Sequence, residues 1–248
     1  MKISLCTTCH NRAHQLKKTF EANLEVLKSE PDVEWVILNY NSSDDLHAYM
    51  LRQITRAGGR VVYAVETSGR PWHCSVAKNI AHKISSGDVL MNLDCDNWIA
   101  DAIRAIKTEL TATRDVLHLS SGLGDGTFGR IIVRRSLFFQ FGGYDENLHP
   151  MGYQDSDLLE RLKTAGAVIK VVTCATGITV QNTKEESILN CRIASNTWDD
   201  FQRMNRQMSI NNIVAGRLVA NAGAKWGAGR LTFFSDLVGP GASVCPTC

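Results

Sequence analysis

The sequence predicts an α/β protein: a mostly parallel central sheet with helices on both faces, extended at its C-terminal end by a helical segment. Three observations support this. Short apolar runs alternate with amphipathic stretches of helical period through residues 3–94. Polar, turn-rich clusters follow directly on those apolar runs, where an open parallel sheet presents its ligand crevice. The chain has 248 residues, 44% hydrophobic and 21% charged, ordinary for a globular protein able to bury a sizeable core.

Residues 3–7 are the first apolar run. The N-terminus turns polar at Thr7 and basic at Arg12, so it reads as a strand and not as a signal peptide, and a cytosolic location follows. No stretch approaches the roughly 18 apolar residues of a membrane span. Leu16, Phe20, Leu24 and Leu27 then recur at helical spacing with charged residues between them. Residues 33–38 form a second strand, ended by the turn-rich residues 39–44. A second helix reaches about Arg56, where Gly58 and Gly59 break it. Residues 60–65 are a third strand, 75–84 a third helix and 89–93 a fourth strand ending at Asp94.

Beyond Asp94 the rhythm changes. A helix at about 101–113 precedes a strand at 116–120, a glycine-rich stretch at 122–129 and a short strand at 131–133. Leu158, Leu159 and Leu162 mark a helix, and 168–173 another strand. From Glu185 to about Asn221 the pattern is mostly helical, with Ile193, Trp198 and Phe201 among its apolar points. The tail from Gly239 is rich in Gly and Pro and is expected to be loosely held. The expected division is a ligand-binding and catalytic α/β unit over 1–182, then a helical extension and tail over 183–248, beside the site or in a homo-oligomer contact.

Composition narrows the function classes. A formal net charge of +2 argues against a global polyanion-binding field. Eight cysteines sit mostly inside strands or helices, so reduced thiols are expected. The two CxxC pairs, at Cys6/Cys9 and Cys245/Cys248, share a zinc only if the chain ends meet; the simpler reading is a small buried residue at Cys6 and a loose tail at Cys248.

Four segments have the residue types for chemistry. Asp94 and Asp96 flank Cys95 just past a buried strand, where two carboxylates can serve one hard cation such as magnesium or manganese. Residues 152–157 lead into a helix; Asp155 is the favoured general base, whereas Asp157, three residues before Glu160, also has the spacing of a helix cap. Lys78 suits a phosphate or a carboxylate, or is simply a solvated lysine. Residues 7–12 follow the first strand with polar groups fitted to a nucleotide. No GxGxxG follows that strand and no GxxxxGK[ST] occurs anywhere, so dinucleotide and P-loop chemistry lose support. Trp72 and His73, in a loop on the ligand side, either stack on a bound ligand or pack beneath the loop. The glycine-rich stretch is a mobile lid or a plain turn, and Trp198 shapes the ligand side or belongs to a core helix.

Taken in order, these pieces resemble the family 2-type glycosyltransferases of the GT-A fold. The matching segments are 7–12, 38–44, Ala77-Lys78-Asn79, 87–97, 141–146 and 152–158, and the resemblance covers residues 3–162. It implies a nucleoside pocket lined by Thr7, Cys9, Asn11 and Arg12 and by Asn39, Asn41 and Ser42. It implies Lys78 near the diphosphate, Asp94 and Cys95 at the ribose or metal, Asp96 on a Mn2+ or Mg2+ ion bridging the phosphates, and Asp155 as base in an inverting displacement. Tyr153, Gln154 and Asp157, with Trp72 and His73, would face sugar or acceptor. The implied donor is a nucleotide sugar, UDP-linked; the acceptor is a glycan, peptide, small molecule or modified nucleic acid. Three departures stand out: Asn39 where many relatives carry Asp, Gln154 where a Glu is common, and no histidine over residues 178–183, where related enzymes often place a late metal ligand. Nucleotidyl transfer and a non-catalytic nucleotide-sugar-binding protein are the competing readings.

Overall fold

The computed structural model describes residues 1–175, 177–191 and 197–234. Ile193, the tail from Gly239 and the pair Cys245/Cys248 lie outside the described residues. In chain order the elements are β1 (Ile3–Cys9), α1 (Ala13–Lys28), β2 (Val33–Tyr40), α2 (Leu46–Ala57), β3 (Val61–Glu66), α3 (Cys74–Ile84), β4 (Val89–Asn92), α4 (Ala102–Glu109), β5 (Asp115–Ser120), β6 (Ile131–Arg134), α5 (Arg135–Gln140), α6 (Gln154–Thr164), β7 (Val168–Thr173), α7 (Lys184–Ile188), α8 (Trp198–Val214) and β8 (Leu231–Phe234).

One eight-stranded sheet runs in the order β7-β5-β6-β4-β1-β2-β3-β8. The β1–β2, β2–β3, β1–β4 and β5–β7 pairs are parallel; β3–β8, β4–β6 and β5–β6 are antiparallel. The expected mostly parallel sheet with helices around it is the one observed. Buried parallel strands read as unbroken apolar runs because both faces are covered, and β1 and β2 are buried along their whole length. On one face Leu16, Phe20 and Leu24 of α1 and Leu46 and Met50 of α2 pack with Ile3, Leu5 and Trp35. On the other, Ala77, Ile80 and Ala81 of α3 pack with Cys6, Leu38 and Tyr40. Leu137 and Phe138 of α5 and Leu158 and Leu162 of α6 pack with Leu90 and Val116.

The chain builds β1, β2 and β3 outward and then returns to lay β4 on the free side of β1. The carboxyl ends of β1 and β4 therefore flank the topological switch point, where helices on opposite faces leave a crevice.

Several local expectations are corrected. The helix expected to reach residue 113 stops at Glu109, because Asp115 Oδ2 captures the Thr111 and Ala112 amides at 3.0 and 2.7 Å. The C-terminal helical stretch is two helices, each opened by a capping box: Thr183 with Glu186, and Thr197 with Asp200. Helix α5 and strand β8 had no separate signal; β8 closes the β3 edge. No helix among the described residues is long and apolar enough to cross a membrane.

Candidate active site

A cavity of about 650 Å3 lies beyond the ends of β1 and β4. From β1 and the turn after it, Thr8, His10 and Arg12 reach its wall; Asp94, Cys95 and Asp96 come from the turn after β4. Trp72, Cys74 and Lys78 enter from the start of α3, and residues 151–156 from the loop into α6. The glycine-rich stretch contributes Gly124, Asp125, Gly126 and Phe128, and residues 180–184, Ser187, Asn190, Trp198 and Gln202 complete the wall.

The alternation of a strand decides which β1 residues take part. Thr8 and His10 line the cavity, whereas Thr7 and Cys9 are turned into structure. Thr7 Oγ1 donates to the Leu93 carbonyl at 2.6 Å and accepts from Trp35 Nε1 at 2.8 Å. Cys9 is buried, and its hydrogen bond to Cys95, followed by burial, pushes the Cys95 thiol up. His10 Nδ1 donates to the Tyr40 carbonyl, and burial keeps its ring neutral by lowering its pKa, so Nε2 is left as an acceptor. Its ring stacks on Trp72 at 5.7 Å and 10°, and Trp72 meets Tyr40 edge-on at 5.5 Å. The residues expected at the pocket here, Thr7 and Cys9, are the opposite phase of the strand from Thr8 and His10, and the sequence alone carries no signal for which phase meets the cavity.

Asn11, Asn39, Asn41 and Ser42 brace two neighbouring turns and lie outside the cavity lining. Asn11 and Asn41 adopt left-handed φ values of 55 and 54°. Asn11 Oδ1 accepts from the Ser43 amide at 2.7 Å, and its own amide donates to Ser42 Oγ at 3.1 Å. Asn39 accepts from the Ser42 amide at 2.9 Å and donates to the Tyr63 hydroxyl at 3.0 Å, which occupies both ends of its side-chain amide. Arg12 does line the cavity; its guanidinium donates to Gln15 Oε1 at 3.0 Å and to the Glu186 carbonyl at 2.7 Å.

His73 is a helix cap and not part of the cavity lining. Its Nδ1 accepts from the Val76 amide at 3.5 Å and its Nε2 donates to the Leu148 carbonyl at 3.0 Å. Burial lowers its pKa, consistent with that neutral tautomer. Asp157 does not cap α6, which begins three residues earlier with Tyr153 as N-cap. Buried within the helix, Asp157 pairs with Arg161 at 2.8 Å, one turn on.

The charged centre is built around Lys78. Its Nζ lies 2.7 Å from Asp155 Oδ1 and 3.8 Å from Asp94 Oδ1, and its side chain is only 4% exposed. Burial works against its charge, but Asp155 and then Asp94 outweigh that and hold its pKa above the ordinary lysine value. No hydrogen bond from the described residues reaches Asp155 Oδ2. Asp94 is oriented by Asn92 Nδ2 at 3.0 Å, and Gly129 leaves it room, since a Cβ there would stand 2.4 Å from Asp94 Oδ2.

Burial first, and then the charge of Asp94, raise Asp96 to about 6, while a 2.6 Å hydrogen bond from Asn97 partly offsets them. Two crowded carboxylates of this kind are hard oxygen donors with an unmet demand for positive charge, and they fit a divalent cation. Among the described residues no group of three His, Cys, Asp or Glu side chains gathers as a metal site. Further ligands would have to come from phosphate oxygens and water.

A carboxyl held at about 6 when folded and near 3.9 when unfolded adds stability below the lower value and loses it as pH rises through the upper one. In chelator-treated protein, Asp96→Asn is therefore expected to raise stability by about 2 kcal/mol at pH 7.5 and by little at pH 3.5. Urea melts at the two pH values check this; an equal effect at both would refute the assignment of strain to the charged form.

The loop before α6 is held by a residue that no motif signalled. Asn205 of α8 is fully buried. Its Nδ2 contacts the carbonyls of His149, Met151 and Gly152 at 3.1, 3.0 and 2.6 Å, and its Oδ1 accepts from the His149 amide at 2.7 Å. The next residue, Tyr153, takes a left-handed φ of 71° before the helix that bears Asp155. Asn205→Ala would strand buried carbonyls and is expected to cost about 2–3 kcal/mol in denaturant unfolding. A change within about 0.5 kcal/mol would show that the loop holds itself.

Solved structures share this architecture. Staphylococcus aureus TarS residues 1–349 align at 15% identity with a TM-score of 0.57, covering 86% of this chain and 73% of that one. A mannosyltransferase from Pyrobaculum calidifontis, in complex with GDP-Man and Mn2+, aligns at 12% identity and a TM-score of 0.57 over 88% of this chain and 72% of that one. The catalytic domain of Drosophila β1,4-galactosyltransferase 7, in complex with xylobiose, gives 15% identity and 0.56 over 82% and 80%. These likenesses show the GT-A fold. No curated protein sequence matches the chain. The profile of glycosyl transferase family 2 matches residues 4–153, which include β1, the acidic pair after β4 and the loop into α6. On that match, with the fold and the convergent acidic site, the chain belongs to glycosyl transferase family 2.

Proposed function

We propose that the protein transfers a sugar from a nucleoside diphosphate donor, UDP-linked, to an acceptor hydroxyl with inversion at the anomeric carbon. The observation that carries this reading is the convergence in one cavity of Asp94, Asp96 and Asp155, with buried Lys78 set between Asp155 and Asp94. TarS has also been solved with UDP and with UDP-GlcNAc, which supports a nucleotide-sugar donor of this kind.

In this reading the nucleoside lies against Thr8, His10 and Arg12, and the diphosphate faces Asp94 and Asp96. A divalent ion held by those two carboxylates would supply charge neutralisation for the departing nucleoside diphosphate. Lys78 fixes Asp155 through Oδ1 and leaves Oδ2 to accept the acceptor's proton. As that proton moves to Asp155, the acceptor oxygen bonds to the anomeric carbon on the face opposite the phosphate. The carbon–phosphate oxygen bond breaks, and its electron pair leaves with the nucleoside diphosphate.

Manganese-dependent release of UDP from a UDP-sugar, reduced at least about 100-fold in Asp96→Ala, is the expected result. Pyrophosphate release would instead indicate nucleotidyl transfer, and tight binding without turnover a non-catalytic protein. A product with retained anomeric configuration would overturn Asp155 as the base of an inverting step.

A further inference from the structure

Two buried asparagines flank the acidic turn. Asn92 is the last residue of β4, and Asn97 follows directly on Asp96. Each uses its side-chain amide in the same way. Asn92 Nδ2 donates to Asp94 Oδ1 at 3.0 Å and to the Gly129 carbonyl at 2.9 Å. Asn97 Nδ2 donates to Asp96 Oδ1 at 2.6 Å and reaches the Gly126 carbonyl at 3.4 Å. One amide thus joins the first carboxylate to one end of segment 126–129, and the other amide joins the second carboxylate to the opposite end. All four neighbours are acceptors, so only the NH2 ends can face them, and this fixes the orientation of both amides.

The far end of each amide shows that the arrangement does not serve the fold. Asn92 Oδ1 and Asn97 Oδ1 are closed off from water and accept no hydrogen bond from the described residues. A buried amide carbonyl without a donor is destabilising. Asn92 also interrupts a buried strand whose other residues are Val89, Leu90 and Met91. The Gly129 carbonyl does not depend on it, because it already accepts from the Ile131 amide at 2.8 Å. What Asn92 supplies beyond this is a neutral donor to Asp94, which orients the carboxylate and leaves its charge for a cation. Gly129 completes the seat. A Cβ there would collide with Asp94 Oδ2, and its φ lies outside the left-handed region, so space and not backbone conformation calls for glycine at this position.

Resting on the metal-assisted reading, we propose that Asn92 and Asn97 are positioning residues for the divalent-cation site. They clamp the two carboxylates to segment 126–129 and so set which oxygens face the cavity. Carboxylates already held in place lose less freedom when a cation binds, and partners behind the ligands govern metal affinity in this way.

The test is a Mn2+ titration read by electron paramagnetic resonance at pH 7.5 and a fixed UDP concentration, beside thermal melts of the metal-free proteins. Asn92→Leu and Asn97→Leu should each raise the Mn2+ Kd at least about tenfold. Asn92→Leu should keep its Tm within about 3 °C of the parent, since it strands no backbone carbonyl and Asp94, 32% exposed, can rehydrate. Gly129→Ala keeps the test open should an asparagine variant fail to fold: its methyl group turns the Asp94 carboxylate out of its seat and should weaken Mn2+ by a similar factor. The clamp is overturned if any folded variant of the three binds Mn2+ within about threefold of the parent. It is also overturned if Asn92→Leu loses affinity only together with a Tm fall of about 6 °C or more, which would make the residue structural. A parent protein that binds UDP but no Mn2+ would sink the metal-assisted reading and the clamp with it, a result distinct from parent-like Mn2+ binding in the variants.

Discussion

Asp155→Asn is expected to lower the rate of sugar transfer by about 10²–10⁴-fold, the range that a positioned general base contributes. The amide keeps the shape of the carboxylate and can still accept from Lys78, 2.7 Å away. Lys78, 4% exposed, then keeps only Asp94 at 3.8 Å as a charge partner, so stability should fall by about 1–3 kcal/mol, while donor affinity should change little and the kinetic loss should fall on kcat and not on donor KM. A loss confined to KM would make Asp155 a binding group, and transfer within threefold of the parent would remove it from the chemistry. The two oxygens of this residue differ: Oδ1 is held by Lys78, and no hydrogen bond from the described residues reaches Oδ2.

Lys78→Met should have the second largest effect, on stability and rate together. Removing one partner of a buried ion pair leaves the other charge uncompensated, at a cost of about 3–5 kcal/mol when both are fully enclosed. Asp155 is 23% exposed and can recover some hydration, so about 3 kcal/mol is expected, a fall in Tm of roughly 6–10 °C. The sign with pH is clear. Lys78 has its pKa raised in the fold, so the stability it brings is present through the neutral range and is lost only as pH climbs beyond the ordinary lysine value. The variant and the parent should converge in strongly alkaline solution and separate at pH 7, as measured by urea melts at each pH. Equal stability at pH 7 would show that burial, and not pairing, dominates at this lysine. Activity should fall with stability, because Asp155 would lose the group that holds Oδ1.

The order of elements was legible because periodicity is local. Leu16, Phe20 and Leu24 repeat on one face of α1, and the strands that become β1 and β2 are unbroken apolar runs. Strand ends also identify themselves, so the segments after β1 and β4 could be singled out as the ligand side before any contact was known. The phase at the end of β1 was not legible. Thr7 and Cys9 turn toward Trp35 and Cys95, and Thr8 and His10 toward the cavity, a choice set by which face of the sheet each helix covers. Likewise Asp157 has the spacing of a helix cap in the sequence, but the helix starts at Gln154 and buries it against Arg161.

By itself, then, the sequence determined the alternating α/β framework, the acidic turn after β4 and the carboxylate-bearing segment near residue 155, since each depends on neighbours a few positions away. Only the tertiary structure decided that Lys78 joins Asp155 to Asp94, that Asn205 fastens the loop before α6, and that Trp198 and Gln202 enter the wall. Those contacts link residues far apart in the chain, and they exist because the sheet's strand order and the packing of α3, α6 and α8 bring separate segments to one crevice. No local pattern of hydrophobicity encodes such a meeting, because its energy comes from burial and pairing that arise only once the chain has closed on itself.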